Sequence, residues 1–360
     1  MDRGKALKKA GAFALAFMML LSAAMLGGCE KEPESIIKGL IPDQQKEAHV
    51  EAAPSFGMVA ATDKLTYGLS SAGLLSYTGR SNGRAACYDW RGVAFVLPFG
   101  SGTLGLTTDG KVLAAGTLPD EAADAAEAAN GSKAEAVLSI REQLQSWSGV
   151  AAICAGSSNV YGLTEGGRVL STTHDGRLAM LRGIVQIAAG GEWFVAADNR
   201  GCVYSFGDGA PDVSALQGKE LVQLAGGTVP AEAEGGSGSG YLLGVTKDGT
   251  LISTLAGDSF NGAADCARAF TCPCGATTYI DKNGVLHSNC KTVADKTADI
   301  QAAADAAGKD GKPAKIQWFS CSGAHAALTL ENGKVLSFGE NDYRQCSTGG
   351  WRLLPFISSL

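Results

Sequence analysis

The chain has 360 residues and a formal net charge of −6, from 30 Lys plus Arg against 36 Asp plus Glu. That acidity disfavours a nucleic-acid partner, which would be held through its phosphates. Hydrophobic content of 45% excludes global disorder, while 49 glycines and only 18% charged residues suit short buried strands joined by tight turns.

Residues 1–29 carry the first local signal. Arg3, Lys5, Lys8 and Lys9 form a basic head, and the uncharged apolar run from Ala12 to Leu26 follows. About 15 apolar residues fall short of the ~20 that span a bilayer, so the run reads as a signal peptide, not a transmembrane anchor. It ends in Leu26-Gly27-Gly28-Cys29, which resembles a bacterial lipobox. The resemblance implies lipid attachment at Cys29, cleavage before it and an exported, membrane-anchored protein on the extracytoplasmic side. Losing residues 1–28 removes four basic residues and Asp2, and takes the net charge from −6 to about −9. Residues 29–54 are polar and lack apolar periodicity, and read as a flexible tether.

From residue 55 to 360 one unit recurs. A small-residue strand ends near Gly, a short loop follows, and two apolar strands flank a tight turn ending in Gly. The clearest copies run from Ile187 to Gly207 and from Ser320 to Gly339. The turn glycines are Gly73, Gly110, Gly167, Gly201, Gly249, Gly284 and Gly333, as expected of hairpins that need positive φ. Seven units of about 43 residues match the length of four-stranded propeller blades. The fold expected is therefore all-β, a seven-bladed β-propeller. Three insertions break the period. Residues 118–148 place Val137, Ile140, Leu144 and Trp147 at helical spacing. Residues 228–240 read as a flexible loop, and 291–315 hold a helix from Asp295 to Ala307 stopped by Gly308.

The sequence Ile187-Ala188-Ala189-Gly190, the turn-and-strand pattern ending Ser337-Phe338-Gly339, and the following Glu340-Asn341-Asp342-Tyr343-Arg344-Gln345 resemble the repeat of the regulator of chromosome condensation family. The resemblance covers most of the mature chain and implies seven blades. It departs after Asn341, where the family continues Asn-x-x-Gly-Gln-Leu-Gly and only the Asn and Gln are kept. Relatives include nucleotide-exchange factors at chromatin, a role that an exported acidic chain cannot fill, and secreted propellers that inhibit β-lactamases.

No Walker, dinucleotide, H-E-x-x-H or G-x-S-x-G motif occurs, so no catalytic residues and no cofactor are assigned. The loop after each inner strand points to one mouth of the central channel and carries Thr103, Asn159, Trp193 and His325 as candidate binding residues. Trp193 there is either a contact residue or packing over the channel. Nine cysteines besides Cys29 cannot all pair within one chain. Cys154 and Cys321 share one small buried slot of the repeat. Cys272, Cys274, His287 and Cys290 form a weak metal candidate, with a disulfide or plain core packing as the alternatives. The function expected is a lipid-anchored, monomeric module that binds an extracytoplasmic protein or carbohydrate. The alternatives are an envelope hydrolase or lyase with its site at the channel mouth, and a structural envelope component.

Overall fold

The computed structural model describes residues 57–80, 87–121, 138–173, 175–229 and 238–353. The signal peptide with Cys29, the tether and His174 lie outside these residues. Twenty-one strands form seven antiparallel sheets, each built from three consecutive strands. Blade 1 is β1 (Met58–Ala61), β2 (Leu65–Leu69) and β3 (Leu75–Gly79); blade 2 is β4 (Val93–Phe99), β5 (Ser101–Thr107) and β6 (Val112–Thr117). Blade 3 is β7 (Val150–Ala155), β8 (Val160–Thr164) and β9 (Val169–Ser171); blade 4 is β10 (Ile184–Gly190), β11 (Glu192–Asp198) and β12 (Val203–Asp208). Blade 5 is β13 (Leu221–Val229), β14 (Ser239–Thr246) and β15 (Leu251–Ser253); blade 6 is β16 (Cys266–Cys272), β17 (Ala276–Asp281) and β18 (Leu286–Ser288). Blade 7 is β19 (Ile316–Cys321), β20 (His325–Leu330) and β21 (Val335–Gly339). The first strand of each blade lines the axis, and β1 packs against β19 to close the ring. This is an all-β, seven-bladed propeller.

The repeat grammar explains the blades. All seven turn glycines have φ between 70° and 93°, the left-handed region where a side chain would be strained. The residue that ends the second strand braces the turn from its side chain. Thr107, Thr164 and Thr246 accept a hydrogen bond from the backbone N–H four residues on, at 2.9–3.0 Å, and Asp198 and Asp281 do the same at 2.9 Å. Six inner strands shift register after their first residue, between Val93 and Phe95, Val150 and Ala152, Ile184 and Gln186, Leu221 and Gln223, Cys266 and Arg268, and Ile316 and Trp318. Such a bulge sharpens the local twist where the chain enters each sheet.

Among the described residues no sheet has the expected fourth strand. Several of the segments between blades pack large side chains instead, while the one between blades 5 and 6 returns to Leu251 through backbone hydrogen bonds from Gly262 and to Ala263. After β9, a 3₁₀ turn at Leu178–Met180 buries Leu178 and Leu181. Before β4 and β7, Trp90 and Trp147 lie on the mid-strand glycines Gly105 and Gly162, where a Cβ would come within 2.6 Å and 2.9 Å of the indoles.

The insertions follow the sequence in part. Helix α1 (Ile140–Gln145) buries Ile140 and Leu144, and is opened by a capping box between Ser139 and Glu142; it is shorter than the spacing suggests, and Val137 lies outside the described residues. The 228–240 insertion extends the β13–β14 hairpin, pairing Thr228 with Gly240 and Val229 with Ser239. The third insertion folds as α2 (Lys291–Ala294) and α3 (Thr297–Ala307), with Gly308 ending the latter.

The C-terminal segment closes the ring without adding a strand. Residues 351–353 do not pair as a strand beside β1, and 354–357 lie outside the described residues. Leu353 instead donates its N–H to Gly333 O at 2.9 Å and accepts from Ser71 N–H at 3.0 Å, bridging the outer turns of blades 7 and 1. Trp351 lies on Gly68, where a Cβ would meet its ring at 2.7 Å.

Candidate functional site

The four channel-mouth candidates do not come together in one cavity. Three are buried contacts within or between blades. Thr103 on β5 is fully buried, its hydroxyl bonded to the Tyr67 hydroxyl of blade 1. His325 opens β20 and is fully buried; its Nε2 lies 2.7 Å from Thr66 Oγ1 of blade 1 and its Nδ1 3.2 Å from Ser322 Oγ. Burial holds its imidazole neutral, with a pKa pushed down to about 4. Trp193 on β11 is 1% exposed, and its indole lies across the glycines of blade 5; a Cβ on Gly226 would reach it at 2.7 Å. Of its two sequence readings, packing is the one the geometry fits. Asn159 keeps solvent contact, but its carbonyl closes the β7–β8 turn by accepting from Gly156 N–H at 2.9 Å. Thr103, His325 and Trp193 join blades together, because a wedge-shaped sheet must fill the gap to its neighbour with side chains.

The metal candidate is regrouped by the fold. Cys272 ends β16, Cys274 sits in the following turn, and Cys290 precedes α2. Their sulfurs all lie within 4.8 Å of one another. Cys290 Sγ is 3.0 Å from Cys272 Sγ and 3.4 Å from Cys274 Sγ. His287 does not join them: it stacks on Tyr279 at 4.5 Å and turns to Asp281 at 3.2 Å. Its place is taken by Cys321, at the end of β19 in the next blade, 3.9 Å from Cys290 Sγ. The sequence pattern hid Cys321 because it matches Cys154, which lies in the same repeat slot without such neighbours. Hydrogen bonds, from Cys272 first and then Cys321, hold the Cys290 thiol far below the usual range, while the Cys272 thiol is pushed up.

A third feature was not singled out in the sequence. Tyr77 on β3 and Tyr88 in the next loop meet edge-to-face at 6.4 Å, and are 38% and 57% exposed. On the far side of the same strand Thr78 donates to Arg344 O at 2.8 Å, and Tyr343 lies under Lys64 Nζ at 5.0 Å. Blade 1 thus carries exposed tyrosines on both sides of β3, the Tyr77–Tyr88 pair on one and Tyr343, beneath Lys64 and Arg80, on the other.

No protein-family model and no curated protein matches the chain. Solved structures do. The ectodomain of the Physcomitrella patens receptor kinase CR4 is 11% identical with a TM-score of 0.52, over 79% of this chain and 72% of that one. The CRINKLY WD40 ectodomain of the Arabidopsis thaliana receptor kinase ACR4 is 11% identical with a TM-score of 0.52, over 80% and 95%. Yeast RCC1 (Prp20), in its complex with Kap60, is 12% identical over 90% and 88%, with a TM-score of 0.45. At these identities the two ectodomains establish the fold and nothing finer, and they agree with the seven sheets in making this chain a β-propeller.

Proposed function

We propose that the chain is a lipid-anchored, extracytoplasmic propeller of the chromosome-condensation-regulator type whose rim binds a protein or carbohydrate partner. The observation that carries the binding role is the exposed, edge-to-face pair Tyr77 and Tyr88 on blade 1 and its following loop, with the exposed Tyr343 on the other side of β3. Tyrosine supplies large contact area with a polar tip and little entropy to lose, which is why it is enriched at recognition surfaces. Two of the similar structures are ectodomains, and the lipobox-like Leu26-Gly27-Gly28-Cys29 supports an outward address for this one.

Photo-cross-linking on intact cells, with the photoreactive group at Tyr77 or Tyr88, tests the reading. One discrete partner, identified by mass spectrometry and lost when the other tyrosine of the pair is changed to Ala, is the expected result. A folded, surface-displayed chain that captures nothing reproducible from this rim overturns it. N-terminal analysis of the membrane-bound form checks the anchor: the chain should begin at lipid-modified Cys29, and an intact Met1 would refute that part.

A further inference from the structure

We propose that Cys272, Cys274, Cys290 and Cys321 together bind one zinc ion as a closed tetrathiolate that ties blade 6 to blade 7. The four sulfurs come from three separate segments of the chain: the end of β16 with its turn, the start of the third insertion, and the end of β19. Chain connectivity alone gives no reason for them to converge. Among the described residues three of them, Cys272, Cys274 and Cys290, are the only group of three or more metal-ligating side chains with all donor atoms within 4.8 Å of one another, and Cys321 reaches that group through Cys290 at 3.9 Å.

The geometry fits one ion better than one bond. Cys290 faces three sulfurs at once, at 3.0, 3.4 and 3.9 Å. A disulfide would join it to one of them and leave the others as free thiols. Tetrahedral zinc, with Zn–S near ~2.3 Å, holds its sulfurs ~3.8 Å apart, so the Cys290–Cys321 edge already has the right length, the Cys290 edges to Cys272 and Cys274 open by well under an ångström, and Cys321, which stands outside the 4.8 Å group of the other three, closes in on them when the ion binds. An iron–sulfur cluster would hold the cysteines farther apart, because its own sulfides lie between the irons. All four donors are sulfur, which selects a soft or borderline cation over calcium or magnesium. Cys272 and Cys290 are buried among Ala276, Val293 and Phe319, leaving no place for a reacting water; the site is structural. Only Cys274 is exposed, and it marks the side from which an ion enters. Gly323 N–H donates to Cys321 Sγ at 3.3 Å, the kind of outer hydrogen bond that steadies a thiolate ligand. On binding, each thiol gives its proton to solvent and its sulfur lone pair to the ion, with no change of oxidation state.

The test uses the full chain, reduced and titrated with Co²⁺ under anaerobic conditions. One Co²⁺ per chain, with thiolate-to-cobalt charge transfer and the intense visible bands of a tetrahedral site, both abolished by added Zn²⁺, is the expected result. Cys274→Ser, at an exposed position that should not disturb folding, should weaken Co²⁺ binding by more than the ~10–100-fold that loss of an outer-shell partner costs. Cys346→Ser, outside the cluster, should leave it unchanged. A folded chain with no cobalt–thiolate absorption overturns the proposal. So does peptide mapping of unreduced protein that finds Cys290 disulfide-bonded to Cys272 or Cys274 with no zinc present.

Discussion

The backbone N–H of Leu353 donates to the carbonyl of Gly333 at 2.9 Å, and this bond closes the ring. It repeats a rule of the fold. The turn glycines Gly73, Gly110, Gly167, Gly249 and Gly284 give their carbonyls to the first residue of the next inner strand, Val93, Val150, Ile184, Cys266 and Ile316. Blade 7 has no next blade in sequence, and Leu353 supplies that residue from the C-terminal segment. Trp351 on Gly68 likewise stands where Trp90 stands on Gly105 and Trp147 on Gly162.

Truncation after Gly350 should therefore open the ring. It removes Trp351 and the buried Leu353, and leaves the Ser71 N–H and the Gly333 carbonyl without these partners. Loss of a buried leucine alone costs about 2–5 kcal/mol. The truncated chain should melt broadly and well below the full chain by calorimetry. Coincident melting curves would show that closure does not depend on this clasp.

Stability should fall on mild acidification through His325. Its folded pKa, near 4, lies below the usual ~6.5, so between those values the unfolded chain takes a proton that the folded chain refuses. The contribution is intact above pH 6.5 and is lost as pH falls towards 4, by up to about 3 kcal/mol at ~1.4 kcal/mol per pH unit. Urea midpoints at pH 7.5 and 5 should differ more for the wild type than for His325→Gln. Equal differences would mean that other groups carry the acid sensitivity.

The fold was legible because turn chemistry is local: a Thr or Asp, then a Gly at positive φ, writes each hairpin into the sequence. The strand number was less legible, since period alone cannot tell a fourth strand from a segment that buries Trp147 or Leu178. The clasp was missed because Trp351-Arg352-Leu353 repeats Trp90-Arg91-Gly92-Val93 only loosely. The site was the least legible. His287 and Cys290 are neighbours in sequence, but His287 lies on β18 and turns to Asp281, while Cys321, 31 residues from Cys290, comes from the next blade. Which side chains meet across blades depends on the ring, and no single repeat encodes it.

Gly162→Val tests the recurring contact of a ring on a mid-strand glycine. Trp147 is 8% exposed, and a Cβ at Gly162 already comes within 2.9 Å of its ring. The added methyl groups must push the indole out of the core of blades 2 and 3, at a cost of about 1–3 kcal/mol by overpacking. Combined with Trp147→Ala, the two losses should be less than additive, because the clash disappears with the ring. Strict additivity in urea unfolding would refute the contact.

Trp193 decides between a binding mouth and an interblade wedge. Its side chain fills the space between blade 4 and the glycine-rich strands of blade 5, and its Nε1 is buried without a hydrogen-bond partner among the described residues. Trp193→Ala removes that wedge and should cost about 3–5 kcal/mol, since the backbones of two rigid sheets cannot collapse into the void. Trp193→Phe keeps part of the ring and deletes the unpartnered N–H, whose burial is itself unfavourable, so it should recover much of the loss. A contact residue on a loop predicts the reverse: both variants would melt like the wild type, and the partner cross-linked through Tyr77 would be lost. Thermal melting and cross-linking on the same two proteins separate the cases. An unshifted melt for Trp193→Ala would remove the wedge and return Trp193 to the binding surface.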